Sequence, residues 1–322
     1  MDISIILLLL AGGALLVPLI GGDDDGDDDS GNEIRGTLDP DDPLEGTDGD
    51  DLILGFDGDD VINGGGGLDF INAGLGNDTV NGGADRDVIE GRAGDDILNG
   101  GGGNDTIDGG LDNDVINGGE GNDILRGGRG DDVIYGYTGT DLIRGAGGDD
   151  EMFLWGEQGR AIGTDGNDDL IMVTGRGFLE DDQDASNFYS FANVGDDGQT
   201  VAIVDGFGAG DQLILTLDTT DPALMDADLL VTLTEGTIND GTPGYNIEVT
   251  LAEDEVLAEG QSFEGARIFI IGSGLNPDDI ENAISVDVTL NAGLTVEGAQ
   301  ATFDQVIAAE TGANNAFTVA RT

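Results

Sequence analysis

From Gly46 to Phe153 the chain repeats every nine residues without a single insertion. Cut in that frame it reads GTDGDDLIL from Gly46, GFDGDDVIN from Gly55, GGGGLDFIN from Gly64 and AGLGNDTVN from Ala73. The period continues through GGADRDVIE, GRAGDDILN, GGGGNDTID, GGLDNDVIN, GGEGNDILR, GGRGDDVIY, GYTGTDLIR and GAGGDDEMF. Position six is aspartate in all twelve units: Asp51, Asp60, Asp69, Asp78, Asp87, Asp96, Asp105, Asp114, Asp123, Asp132, Asp141 and Asp150. Position eight is aliphatic or Met throughout, running Ile53, Ile62, Ile71, Val80, Ile89, Leu98, Ile107, Ile116, Leu125, Ile134, Ile143 and Met152. A low-complexity linker would be rich in Gly and Asp, but it would not hold both residue classes in phase over twelve units.

A glycine-rich turn followed by a three-residue strand accounts for both columns. Glycine supplies the positive-φ backbone of a tight repeated turn, and the position-eight side chain points inward to stack on its equivalents. Where glycine is lost at position four the substitutes are Asp85 and Asp112, and Asp is among the few residues that tolerate the left-handed region.

The array resembles the RTX family, the repeats-in-toxin nonapeptides of pattern G-G-x-G-x-D-x-U-x. That resemblance implies an all-β fold in which two successive nonapeptides form one coil of a right-handed parallel β-roll, with Ca²⁺ between the turns of units two apart. It also implies a ligand set: carbonyls of positions two and four plus the Asp of one unit, and carbonyls of positions one and three plus the Asp of the other. For the units starting at Gly100 and Gly118 these are Gly101, Gly103 and Asp105 with Gly118, Glu120 and Asp123. Twelve units make ten such pairs, hence about ten Ca²⁺ ions. The next unit, LWGEQGRAI, has Gly159 where Asp is required; the phase returns in GTDGNDDLI, with Asp168 and Leu170 in place. The degenerate neighbour leaves calcium ligation by Asp168 outside the ten pairs.

Charge leads to calcium without the family. The formal net charge of the chain is −58, with 68 Asp plus Glu against 10 Lys plus Arg. Carboxylates crowded to that degree oppose a compact state unless cations join it. Stacked coils bring position-six carboxylates to about 4.8 Å. At that spacing each pair repels by about 1 kcal/mol in bulk water and about 3–4 kcal/mol at an effective dielectric of 20. The array itself carries 25 Asp plus Glu against 5 Arg, a deficit that ten divalent ions would cancel. With no Cys and no His, soft-metal sites are excluded, and oxygen donors suit Ca²⁺ or Mg²⁺.

The same absences remove whole reaction classes. Without His, Cys or Lys there is no Ser-His-Asp or Cys-His machinery and no Schiff-base lysine. Nucleic acid is a poor partner for a chain with a handful of scattered Arg and such an acid excess. The expected function is therefore a secreted or cell-surface calcium-binding structural or display protein that folds on Ca²⁺ after export, and not an enzyme. Two rival readings are a self-assembling adhesin or matrix subunit, and a carboxylate-dependent carbohydrate-active enzyme in the C-terminal region.

Four segments organise the chain. Residues 3–20, ISIILLLLAGGALLVPLI, predict an apolar helix within residues 1–22, acting as a membrane anchor or packing with copies of itself. It is a poor signal peptide, because Asp2 replaces the basic region and no cleavage site follows. Residues 23–45 read as an acidic linker and cap, and 46–171 as the roll. Residues 172–322 carry runs such as TVAIVDGF, DQLILTL, YNIEVTL and ARIFIIG, which predict a β-rich domain, either an antiparallel sandwich or a sheet extending the roll. The stretch VAIVDGFGAGDQLIL looks like the segment that often follows RTX arrays. The end, ETGANNAFTVART, is small, polar and nearly uncharged, compatible with the uncleaved C-terminal signal by which the resemblance implies type I secretion from the bacterial cell.

Overall fold

The computed structural model describes strands at residues 5–10 and 13–18, the nearly continuous stretch 32–38 and 43–172, and separate strand segments between 176 and 290. Within residues 33–219 the strands fall alternately into two sheets, and the later described strands join one or the other. One has eleven strands, from Leu44–Glu45 at one edge to Ile284–Leu290 at the other; the second has thirteen and begins at Glu33–Arg35. Each strand of the array pairs in parallel with the strand two units away, so Ile97–Gly102 lies between Thr79–Ala84 and Val115–Glu120. Thr106–Leu111, the next strand in sequence, lies between Val88–Ala93 and Ile124–Arg129 in the other sheet. One coil is thus eighteen residues, and the structure is the expected parallel β-roll.

The core follows from the two-residue period of a strand. The residue at position eight turns inward on every strand: Ile53, Ile62, Ile71, Val80, Ile89, Leu98, Ile107, Ile116, Leu125, Ile134, Ile143 and Met152 are all buried. The same stack continues through Ala161, Leu170, Leu179, Tyr189, Val204 and Leu213, so a single core runs the length of the roll. Positions seven and nine face outward. On the eleven-stranded sheet, position nine carries an amide ladder in which Asn117 donates to Asn99, Asn99 to Asn81 and Asn81 to Asn63 at 2.9–3.0 Å. Beyond it the column turns aromatic, with Tyr135 stacked on Phe153 at 4.8 Å, and beside it the position-two residues Tyr137 and Trp155 stack at 4.7 Å.

Of the two forms expected for the region after 172, the described strands make the second. Asp169–Met172, Phe188–Phe191, Gln212–Thr219 and Ile284–Leu290 extend one sheet in parallel, while Arg176–Glu180, Thr200–Asp205 and Ala266–Ile271 extend the other. Antiparallel pairing enters only at the far edge, where Pro243–Leu251 joins Ala266–Ile271 to Leu229–Thr237. The sandwich-like arrangement is therefore corrected to a continuation of the roll. A finished coil presents two open strand edges, and the next apolar runs satisfy them most simply by pairing in place. At the other end, the segment expected as linker and cap contributes the first strand of each sheet, with Ile34 beside Ile53 and Leu44 beside Ile62.

The apolar helix expected within residues 1–22 is also corrected. Ile5–Leu10 and Gly13–Pro18 form a two-stranded antiparallel pair in which Leu10 faces Gly13. Gly13 opens the second strand of the pair, opposite Leu10, and glycine is costly inside a helix. Among the described residues no helix is long and apolar enough to cross a membrane. The C-terminal tail ETGANNAFTVART lies outside the described residues.

Ile116 is fully buried, whereas Ile124 is 52% exposed on the outer face. In calcium, Ile116→Ala should lower unfolding stability by about 2–5 kcal/mol, and Ile124→Ala by about 0.5 kcal/mol. Urea titration of the two variants checks this; equal losses would contradict the assigned faces.

Candidate metal centre

Each position-six aspartate sits at the junction between turn and strand, where its side chain is carried under the turn. In every unit of the array it is almost fully buried, from Asp51 to Asp150. The two columns are held by one repeated hydrogen bond: the backbone N–H of each Asp except Asp141 donates to Oδ1 of the Asp eighteen residues on. Asp87 donates to Asp105 at 2.8 Å, Asp105 to Asp123 at 2.8 Å and Asp123 to Asp141 at 3.0 Å. In the other column Asp96 donates to Asp114 at 2.9 Å, and Asp114 to Asp132 at 2.8 Å.

Oδ1 is thereby satisfied and Oδ2 is not. The Oδ2 atoms of Asp69, Asp78, Asp87, Asp96, Asp105, Asp114, Asp123, Asp132, Asp141 and Asp150 are buried without a hydrogen-bond partner. A buried carboxylate oxygen left in that state costs several kcal/mol unless something positive meets it. The end units differ. Asp51 Oδ2 accepts from the N–H of Thr47 at 2.6 Å and from its hydroxyl at 3.0 Å, and Asp168 Oδ2 accepts from the N–H of Thr164 at 3.1 Å. Both units open on GTDG, so a threonine at position two caps the carboxylate at each end of the series.

The turn backbone supplies further oxygens. Positions two and four hold positive φ in every unit from Gly55 to Gly145 except at Tyr137, including Asp85 at 72° and Asp112 at 73°, the substitutions expected to tolerate it. This conformation aims carbonyls along the roll axis. The carbonyls of Gly101 and Gly103 point at Cα of Gly119 and Gly121, so closely that a methyl group on either would overlap them. From the opposite side the Gly118 carbonyl points at Gly100, and the Glu120 carbonyl accepts the Gly103 N–H at 2.7 Å. The structure therefore brings Gly101, Gly103 and Asp105 against Gly118, Glu120 and Asp123 across one gap between coils. Among the described residues no three acidic side chains converge, so a cation there must take two carboxylates together with carbonyls. That all-oxygen donor set, with an unpartnered oxygen on each carboxylate, fits Ca²⁺.

Proton affinities report the same deficit. Burial, with neighbouring carboxylates adding to it against the backbone N–H bond, pushes Asp87, Asp114 and Asp150 up to about 8. Asp78 and Asp96 are pushed to about 7. Asp69, Asp105, Asp132, Asp141 and Asp168 are pushed to about 6, and Asp123 is raised as well. The closed roll binds either protons or cations at these positions.

Two features escape a reading confined to position six. An exposed ladder at position five runs with the opposite polarity: Asn104 Oδ1 accepts the N–H of Asn122 at 2.7 Å, and Asn122 Oδ1 that of Thr140 at 2.7 Å. Its signal is present, since position five is Asp or Asn in most units. The aspartate column containing Asp150 also continues past the array, through Asp168, Asn187 and Asp211. Units two apart stack, so Gly159 interrupts the other column, after Asp141, and leaves this one intact. The lengthened spacings to Asn187 and Asp211 hide the continuation from a nine-residue frame.

The RTX calcium-binding nonapeptide repeat (4 copies) matches residues 41–71, 54–89, 67–98, 81–116, 90–125 and 117–152. No curated protein matches the chain.

Asp105→Ala removes a buried carboxylate between two gaps, whereas Asn104→Ala removes one exposed acceptor. The first should raise the calcium midpoint for folding severalfold and the second should leave it within about twofold; equal midpoints by circular dichroism would contradict this register. The pH dependence has a definite sign. Folded-state values of about 6–8 lie above the ordinary 3.8, so the metal-free roll binds more protons folded than unfolded. Its stability is fullest in acid and is lost as pH rises through 6–8. In chelator, β-structure should be greater at pH 5 than at pH 8. In calcium, the midpoint should rise on acidification from pH 8 to pH 6, and a pH-independent midpoint would remove carboxylate ligation from the account.

Proposed function

Because residues 41–152 carry RTX calcium-binding nonapeptide repeats, we propose that this calcium-binding structural repeat protein works outside the cell, where calcium closes its roll into a stiff support for the strands that follow. One observation carries the reading: two lines of buried carboxylate oxygens with nothing to pair with. Such a roll opposes its own closure wherever divalent cations are scarce.

The environment then decides the folded state. With a site Kd of about 0.1 mM, as in extracellular modules, millimolar Ca²⁺ contributes about 1.4 kcal/mol per site, while submicromolar cytosolic Ca²⁺ contributes almost nothing. A chain that remains open inside and closes outside suits one-step export in the unfolded state, with the C-terminal tail as its signal. The named ligands are the position-six aspartates with turn carbonyls such as Gly101, Gly103, Gly118 and Glu120, at about ten gaps. Calcium supplies the positive charge these oxygens lack. The protein's own part is to hold the carbonyls at fixed spacing through the positive-φ turns. The pair of strands at residues 5–18 is proposed as an attachment segment, to membrane or to copies of the chain.

Circular dichroism of the full chain should show β-structure forming cooperatively with millimolar Ca²⁺ and much less with Mg²⁺. Magnesium demands a tight octahedron and gives up water reluctantly. Identical spectra in EDTA and in calcium would overturn calcium-driven closure, and recovery of the protein only from the cytoplasm of the producing cell would overturn export.

A further inference from the structure

The outer face of the thirteen-stranded sheet holds a groove of about 450 Å³, a volume that suits one sugar-sized ligand. Glu90, Asp108 and Arg126 reach it from position nine of three successive coils; Arg92, Leu111 and Arg129 complete it. Neither the calcium sites nor the core accounts for these side chains.

Three observations define what the groove lacks. Glu90 is only 4% exposed, and one of its oxygens, Oε2, takes both the Asn72 amide at 3.0 Å and the Arg92 guanidinium. Its other oxygen, Oε1, is buried with no partner. Arg126 is engaged by Asp108 at 3.0 Å, whereas no ion pair among the described residues involves the exposed Arg129. The lining thus holds three guanidinium groups against two carboxylates, in a chain whose formal charge is −58.

We propose that this groove binds a hydroxylated monocarboxylate, a sugar acid of the uronate class. The Arg129 guanidinium takes the carboxylate as a fork. A ring hydroxyl donates to Glu90 Oε1, supplying the missing partner. The C–H face of the sugar lies on Leu111, which is 45% exposed. A single negative charge balances the excess of the lining, while a dianion or an extended polyanion would work against the field of the whole chain. Arg92 and Gly110 stand at positive φ in the turns of the array, so the groove exists only in the closed roll and the assignment rests on the calcium reading.

The test is ligand-observed NMR on the full chain in millimolar calcium, with D-glucuronate, D-glucose and acetate as probes. Glucuronate should saturate, and glucose and acetate should each bind about tenfold more weakly, since each lacks one of the two polar contacts. Arg129→Ala should weaken glucuronate about tenfold, with Arg129→Gln as the alternative where alanine prevents folding. Arg86→Ala, at an exposed turn position outside the groove, should change nothing. Acetate binding as well as glucuronate, no glucuronate binding, or full binding by both Arg129 variants would overturn the proposal. Circular dichroism on the same samples separates the two readings. A chain that closes on calcium and ignores glucuronate overturns the groove alone, and a chain that does not close overturns both.

Discussion

Repulsion between stacked carboxylates is the constraint from which the rest of this roll follows. The hydrogen-bond ladder that fixes coil spacing uses Oδ1 of each position-six aspartate, and by fixing that oxygen it strands the other. Structure and charge are therefore solved by one residue type in opposite senses: the aspartate organises the turn and at the same time destabilises it. A counter-charge drawn from solution reconciles the two, and the calcium-driven closure proposed above rests on that need, which a hydrophobic core of the same length would not have. The apolar stack from Ile53 to Met152 is only one side chain deep per strand. It orders the coils once they meet but is too thin to override a like-charge column.

Local and global preferences agree through the array and part company at its ends. In the middle, turn glycines, the inward residue at position eight and the polar ladders at positions five and six all specify the same register. Toward the end, Tyr137 and Trp155 replace position-two glycines, and the strands of that column shorten to Val133–Gly136 and Glu151–Leu154. Aromatic stacking on the outer face then takes over from turn geometry as the local source of order. The second aspartate column ceases at Asp141, where Gly159 follows. From there the roll is held by strand pairing, by the core and by the one remaining ladder through Asp168, Asn187 and Asp211, and the nine-residue rule is released while the coil persists.

This explains what the sequence made legible. Register, core face and the burial of every position-six aspartate could be read from Ile53, Asp51 and their equivalents, because a two-residue strand period inside a nine-residue turn period leaves one solution. The coils after residue 172 could be read only as strands. Their inward residues, such as Leu179, Tyr189 and Val204, are not at constant spacing, so nothing local distinguishes another coil from a sandwich. The apolar run at residues 3–20 has a length that suits a helix. Length and hydropathy do not separate a helix from two paired strands such as Ile5–Leu10 and Gly13–Pro18. The groove arginines were visible merely as scattered charges, because Arg92, Arg126 and Arg129 belong to different repeat positions and meet only through the stacking of coils.

The alternation of strands between two sheets sets the step in which such a protein can lengthen or shorten. One nonapeptide is half a coil. Losing a single unit would carry every later strand to the opposite sheet, placing the amide column of Asn63 to Asn117 in line with the charged column of Glu90, Asp108 and Arg126. Losing two units would shorten the roll by one layer and leave each face in line with itself. Variation in length among rolls of this construction is thus quantised at eighteen residues, and a family of them drifting under recombination would keep its two faces chemically distinct without any selection acting on the faces themselves.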